Sequence, residues 1–402
     1  MRRAIGYGLA GIAAAAVVAW LLVPVRSARP VPQPVPGLSL DRMLPGLVAG
    51  WREHEAVEAA WVLADGGVEG EARPRHVRGE LPAEVALGSL RKWTTAAVVM
   101  SLHDEGLVDL DAPVARWLPA WSERPDVTLR RLLSHTSGLP MRPPAGTCRD
   151  LGTLAACVDR VAEVPLAFEP GSRFGYSTTG FHVAARVAEV AGGRSFEELF
   201  AARVTGPLGI DSARFEAAGP GLPDMTGTLH LSPDDLLRFV RAAATGEGGW
   251  LSDDAVALLH AGHTQGVPKV GTIPRGEWWT EGEDPYGLGV WRAGMPVDGV
   301  PRFVFSEGKQ ALVAGYDRAL DRAFVVGFTY APGTGVGGRV LPHEVLHDLC
   351  VAGERVTGIG PDDADVRCLP FVATPEAQET YRRCRAGRGD HRICLTAARR
   401  AN

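Results

Sequence analysis

The stretch GSLRKWTTAAVVMSLHDEGL, Gly88 to Leu107, places a serine three residues ahead of a lysine, at the head of a long uncharged run. Two readings are open on these residues alone. Serine is a favoured helix cap, and the lysine beside it is then a surface charge. Residues three apart also share one helix face, so Ser89 and Lys92 can form a nucleophile and its base. The first turn of a helix offers free N–H groups and a positive dipole end, which stabilise an alkoxide or oxyanion. A lysine held in a buried helix loses its proton more readily and can take the serine's. Apolar residues occur on all sides of this predicted helix, so it is expected at the centre of the fold. Gly106 is its expected stop.

Working outward, Leu40 to Trp51 (LDRMLPGLVAGW) reads as a helix with a proline irregularity, and AVEAAWVLADGG reads as a strand ending in an Asp-Gly-Gly turn. From Leu107 to about Asp234 the pattern is mostly helices and loops. Near the end, three strands are expected at Arg302–Ser306, Gln310–Tyr316 and Ala323–Tyr330, paired antiparallel through short turns. A helix from about Leu341 to Val351 is expected to close the core. Strands, a helical block and strands again make an α+β domain: an antiparallel sheet flanked by helices, with a helical insertion.

The helix of Ser89 is followed by VTLRRLLSHTSGLP, then EPGSRFGYSTTGFHVAARVAEVAGGRSFEELFAARVTGPLGI, HLSPDDLLRFVRA and YGLGVW. In that order and spacing, from about Leu40 to Val351, the chain resembles the serine β-lactamase / D-alanyl-D-alanine peptidase family. Within it, the resemblance is to the class C-like branch with its esterases and carboxypeptidases. It implies the β-lactamase/transpeptidase-like fold. Ser89 then matches the acylated nucleophile, Lys92 its partner, and Tyr176 in GYSTTG the tyrosine of the Tyr-x-Asn motif, a proton shuttle. The Ser89 N–H supplies half of the oxyanion hole, and the Lys309 N–H, by position, the other half. SHTSGLP, Ser134 to Pro140, is expected to be a structural turn, with His135 a hydrogen-bonded loop histidine.

Two positions depart from the family pattern. Thr178 stands where the family has an asparagine, whose carboxamide orients the lysine and bonds a substrate amide. The third motif, usually Lys-Thr-Gly or His-x-Gly, is Ser306-Glu307-Gly308. The cation or imidazole that supports proton transfer and recognises an acidic substrate is therefore missing from that strand. These changes spare the nucleophile and base but weaken the case for a penicillin- or peptide-carboxylate-binding site. The expected function is an exported serine hydrolase acting through an acyl-enzyme on an ester or amide, esterase- or peptidase-like before efficient β-lactamase. The alternative is a catalytically silent binding or scaffold protein of the same fold. No cofactor or metal is implied, and the partner is a small-molecule or peptide substrate.

The rest of the 402 residues bears on location. A net charge of -5 gives no argument for nucleic acid as a partner. After MRR, Ala4 to Val23 carries no charge. Twenty helical residues span about 30 Å, the hydrocarbon thickness of a bilayer. A membrane anchor is one reading and a cleaved signal peptide the other. The best cleavage triplet, Val25-Arg26-Ser27, is poor. Both readings export the remainder of the chain. The proline-rich RPVPQPVPG is a stiff spacer. The expected organisation is an anchor or signal at 1–24, a linker at 25–37, a hydrolase domain at 38–351 and an Arg-rich, Cys-containing extension at 352–402. All six cysteines lie beyond the apolar segment, and an even count outside the cytosol points to disulfides. Proximity favours Cys148–Cys157, Cys350–Cys368 and Cys384–Cys394. PHEVLH, Pro342 to His347, contains a zinc-protease string. No third ligand stands downstream of it, and Pro342 starts rather than continues a helix. His343 and His347 are therefore expected to be helix residues.

Overall fold

The computed structural model describes residues 44–49, 57–65, 75–142, 148, 151–216, 229–270, 285–294, 300–308, 312–330, 345–346, 348–351, 379–380, 383–384 and 394. The expected anchor and linker, Lys309, Gln310, His343, His347 and Cys368 lie outside the described residues. Among the described residues no helix is long and apolar enough to cross a membrane.

The expected α+β architecture is present. A six-stranded antiparallel sheet runs in the order β2-β1-β9-β8-β7-β6. Its strands are β1 (Val57–Asp65), β2 (Arg75–Arg78), β6 (Trp291–Ala293), β7 (Phe303–Gly308), β8 (Leu312–Asp317) and β9 (Arg322–Tyr330). A second, small sheet orders β3 (Val85–Ala86), β5 (Leu229–Leu231) and β4 (Arg214–Phe215) as β3-β5-β4. The helices include α1 (Arg91–Asp104), α2 (Leu129–Leu133), α3 (Leu154–Val161), α4 (Thr179–Gly192), α5 (Phe196–Phe200), α6 (Pro233–Thr245) and α7 (Asp253–His260).

The sheet is covered on both faces, which explains why its strands read as continuous apolar runs. On β9, Ala323 and Val325 join a core shared with α1, α4 and α6. Phe324, Val326 and Phe328 join a second core with Leu44, Val48 and the helical residues Val345, Leu346, Leu349 and Cys350. The expected closing helix is thus seen at 345–346 and 348–351. The three late strands sit within two residues of their expected limits. β7 runs on to Gly308 because Glu307 and Gly308 still pair with Val313 and Leu312. It starts after Arg302, whose guanidinium is held by the Asp317 carboxylate at 2.9 and 2.8 Å.

α1 is buried from Arg91 to Leu102. Trp93 anchors it edge-on to Phe239 of α6, with ring centroids 5.9 Å apart. It ends where expected: Gly106 takes φ 71°, and its N–H reaches the His103 carbonyl at 2.9 Å. α6 is capped by the Ser232 side chain and begins with a proline and two aspartates, which suits a helix start. It carries Arg241 onto the sheet. Arg241 pairs with both carboxylate oxygens of Asp65 on β1 and with Asp321 at 2.8 Å. Asp65 also accepts the Ala323 N–H at 2.8 Å, and Asp321 accepts the Tyr316 hydroxyl at 2.6 Å.

Cys148 is bonded to Cys157, and Cys384 to Cys394. Cys350 is disulfide-bonded as well.

The buried Asp65–Arg241 pair ties one helix to the first and last strands. Asp65→Ala strips Arg241 of its principal partner and leaves the Ala323 N–H without an acceptor. Removing one member of a buried ion pair costs about 3–5 kcal/mol. Asp321 keeps part of the guanidinium satisfied, so urea unfolding is expected to show a loss of about 3 kcal/mol, the lower end of that range.

Candidate active site

The chain reaches Ser89 under firm control. The Leu87 N–H bonds the Leu229 carbonyl of β5 at 3.0 Å, fixing the segment between β3 and the helix. Gly88 then turns at φ 55°. Ser89 lies in a 3-10 turn, Gly88–Leu90, and the α-helix proper starts at Arg91. Neither helix start has a side-chain cap, so Ser89 is not a cap. Lys92 is not a surface charge either, being only 2% exposed. Both halves of the structural reading of this stretch fail, and the Ser-x-x-Lys pair is left in a buried setting with Ser89 partly open to solvent.

Lys92 Nζ lies 3.4 Å from Ser89 Oγ. It also sits over the ring of Tyr176, 4.7 Å from the centroid, and 5.7 Å from that of Phe181. Burial pushes its pKa down to about 7; Arg91 and Arg142 push the same way and Glu307 opposes them. Tyr176 moves the other way. Burial raises its phenol above the ordinary value, Glu307 adds to this, and a hydrogen bond with Ser89 opposes it. At neutral pH the set therefore holds a lysine close to half deprotonated and a tyrosine that keeps its proton. Such a set can take a proton from the serine and pass it on.

Tyr176 is held by a loop-on-loop lattice. The Thr178 N–H bonds the Met141 carbonyl at 2.7 Å. Ser177 Oγ donates to the Pro140 carbonyl at 2.9 Å and accepts the Gly180 N–H at 3.0 Å, closing the start of α4. SHTSGLP is the structural turn expected of it, and both ring nitrogens of His135 are hydrogen-bonded. Trp291 of β6 stacks parallel to Tyr176 with centroids 6.0 Å apart.

The YGLGVW turn locks α1 from the other side. Gly289 has φ 75°, and its N–H bonds the Leu133 carbonyl at 2.9 Å. A Cβ there would fall 2.5 Å from the Lys92 carbonyl and 2.9 Å from Ala96 Cβ. β7 closes the site at Gly308, where a Cβ would fall 2.8 Å from the Leu87 carbonyl. Only glycine lets the strand approach the Ser89 turn so closely.

The structure thus brings Ser89, Lys92 and Tyr176 together. Thr178 is placed on the same loop, two residues beyond Tyr176, and Ser306 and Gly308 are placed on the strand that abuts the turn. Lys309 falls outside the described residues. Sequence reasoning assigned no role to Glu307, Arg142 or Phe181. Glu307, buried on β7, acts electrostatically on Lys92, Tyr176 and Tyr286. It stood inside a motif read for the cation it lacks. Arg142 is an exposed cation just past SHTSGLP that reaches Lys92 only through the folded loop.

No metal centre accompanies the site among the described residues. One cluster, Cys148, Cys157 and His182, brings candidate ligand atoms within 4.8 Å of one another. Its two sulfurs are joined to each other, which removes the thiolates a metal needs. A cavity of about 960 Å³ lies at the far end of α1, beside Asp104, Glu105 and Trp250, away from Ser89.

A mixed sheet-and-helix fold with a buried Ser-x-x-Lys turn facing an edge-side strand describes a β-lactamase-type architecture. The beta-lactamase family model matches residues 39–344, and the chain belongs to that family. Among curated relatives, the D-alanyl-D-alanine-carboxypeptidase/endopeptidase AmpH of Escherichia coli K12 is 29% identical over 210 residues, 48% of this chain and 54% of AmpH. Esterase EstB of Burkholderia gladioli is 35% identical over 153 residues, 33% of this chain and 39% of EstB. The matches span about half the length of these relatives or less. The penicillin binding protein of Bacillus halodurans superposes with a TM-score of 0.56 at 20% identity, covering 78% of this chain and 99% of that one.

Gly289→Ala tests the lock on α1. A non-glycine side chain at positive φ costs about 1–3 kcal/mol, and here a Cβ also collides with helix backbone. The melting temperature is expected to fall by roughly 5 °C or more, read by circular dichroism.

Proposed function

We propose that this chain is an exported serine hydrolase that works through an acyl-enzyme at Ser89. The observation that carries the proposal is Lys92: fully buried, brought to a pKa of about 7, and 3.4 Å from a partly exposed serine hydroxyl. Ser89 Oγ attacks the substrate carbonyl while its proton passes to Lys92, directly or through the Tyr176 hydroxyl. The proton then goes to the leaving group, and the acyl-enzyme forms. Water enters, gives up a proton along the same route and releases the acid. Tyr176 relays and does not act as the resting base, because its phenol stays protonated. The Ser89 N–H and the Lys309 N–H are proposed to hold the oxyanion.

The substrate is proposed to be an ester or amide, handled in an esterase- or peptidase-like way. The names of the relatives support both arms: one is a carboxypeptidase/endopeptidase and the other an esterase. By the motif match, Ser306-Glu307-Gly308 takes the place of the family's cation-bearing triplet, and this is proposed to disfavour recognition of a substrate carboxylate from that side. Export is supported by the disulfides and by the apolar segment Ala4 to Val23, proposed as anchor or signal. The hydrolase domain is proposed to occupy 38–351.

A fluorophosphonate probe tests this. Mass spectrometry is expected to place one adduct on Ser89 and none on Ser137, Ser177 or Ser306. Lys92→Ala should slow labelling by about 10²-fold or more, the scale of general-base catalysis. Absence of an adduct on folded protein, across probes of different size, would favour a silent binding protein instead.

The pH dependence has a definite sign. The folded pKa of Lys92 lies below the ordinary lysine value, so the neutral, reactive form gains as pH rises through about 7. The labelling rate should rise with a midpoint near 7. Between that value and 10.5 the unfolded lysine holds the extra proton, so stability also rises with pH in this window. A labelling midpoint near the ordinary lysine value would contradict the assignment.

A further inference from the structure

The geometry points to His135 as the positioning residue that sets Tyr176 in place for proton transfer. This inference rests on the hydrolase reading above and adds a residue to it. Tyr176 has one peptide N–H on its own neighbour to each side, at Gly175 and at Ser177. The Gly175 N–H donates to the His135 carbonyl at 2.8 Å. The Ser177 N–H donates to His135 Nδ1 at 2.9 Å. One residue therefore grips the chain on both sides of the tyrosine.

The bond from the Ser177 N–H also fixes the chemical state of the ring. Nδ1 accepts a backbone N–H, so it carries no hydrogen. The neutral imidazole then has its hydrogen on Nε2, which donates to the Tyr286 hydroxyl oxygen at 3.1 Å. The Ser177 N–H, which can only donate, thus selects the tautomer, and the Tyr286 hydroxyl accepts the Nε2 hydrogen that follows from it. An imidazolium would have no acceptor left for Ser177. Burial, with Lys92 adding to it, keeps the pKa of His135 well below the ordinary value.

Packing and backbone agree with this role. His135 is wholly buried, and its ring lies 4.3 Å from that of Tyr176, 5.3 Å from Phe181 and 5.4 Å from Phe174, centroid to centroid. Its φ is 62°, a left-handed conformation that few non-glycine residues adopt, although histidine does so more readily than most. That conformation is kept where carbonyl and side chain of one residue address the same passing segment, and strain of this kind persists only where the surroundings enforce it. A hydrogen-bonded filler would need neither the strained backbone nor bonds on both sides of one tyrosine.

The test separates positioning from bulk stability. His135→Gly adopts positive φ without cost and keeps the carbonyl that accepts the Gly175 N–H, but it removes the side-chain acceptor of the Ser177 N–H. Saturation labelling with a fluorophosphonate is expected to show the maximal rate falling about 10-fold or more, as misplacement of a proton carrier does, with the half-saturating concentration little changed. Exchange of the Ser177 amide hydrogen is expected to be slow in the unsubstituted protein, where the bond is made, and fast in the variant. Tyr286→Phe leaves the Nε2 hydrogen buried without its acceptor, which loosens the ring, and should lower the maximal rate in the same direction. Native labelling rates in both folded variants would overturn the proposal, as would a loss confined to half-saturation. If the unsubstituted protein takes no label, the nucleophile reading is refuted. The clamp is then judged on Ser177 exchange alone, and protection unchanged in His135→Gly would overturn it.

Discussion

Burying the ammonium of Lys92 is the constraint on which the site depends. A charged group in an apolar interior is expensive unless paired, and proteins commonly meet the cost by neutralising it. Here the helix around Lys92 is packed on every side. A serine hydroxyl is within reach of the amine, and aromatic faces lie beside it. Two arginines discourage the charge and one carboxylate favours it. The balance leaves the lysine near the middle of its titration at neutral pH. A looser helix would let water in and restore an ordinary lysine, so the dense packing of α1 is itself part of the chemistry.

The same logic extends to the groups around it. Tyr176 is pressed between an imidazole and an indole and keeps its proton. Each neighbour is fixed in turn: His135 by Tyr286, Trp291 by the sheet, and the loop of Tyr176 by carbonyls of the SHTSGLP turn. Glu307 and Arg142 bring opposite charges to bear on Lys92 from a strand and from a loop. The electrostatics around the lysine are thus arranged differently from the motif pattern, in which a single cation stands on the strand.

Much of this is legible in the sequence. The apolar run from Ala96 to Met100 and the glycine that stops the helix are local signals, and both elements stand where they are expected. So do the three late strands, because burial on both faces gives them nearly continuous apolar runs. The candidate site is legible only through order and spacing of motifs, since nothing local links Ser89 to Tyr176. What escapes is of another kind. The sequence places Ser89 in the helix itself, while the backbone makes a 3-10 turn first, a distinction that depends on β5 and Gly88. The environment of Glu307 and the reach of Arg142 come from tertiary placement, which periodicity does not encode. His135 reads correctly as a bonded histidine, but its partners come from two other segments and no spacing announces them.

The sheet order has a consequence for how the molecule is made. β1 lies between β2 and β9, so the first long strand finds its inner neighbour only when the last one exists. Asp65 and the Ala323 amide, hydrogen-bonded in the finished fold, are 258 residues apart. Closing a loop of that length is entropically unfavourable, and contacts so distant in sequence form slowly. The helical block can assemble from nearer contacts while β1 waits. Until β9 arrives, β1 presents an apolar strand with an unpaired edge, the hazard that favours misassociation. A chain synthesised from its N-terminus therefore carries this unpaired strand through most of its synthesis. The Arg241 network, which joins β1 and β9 through α6, assembles only at the end of that wait.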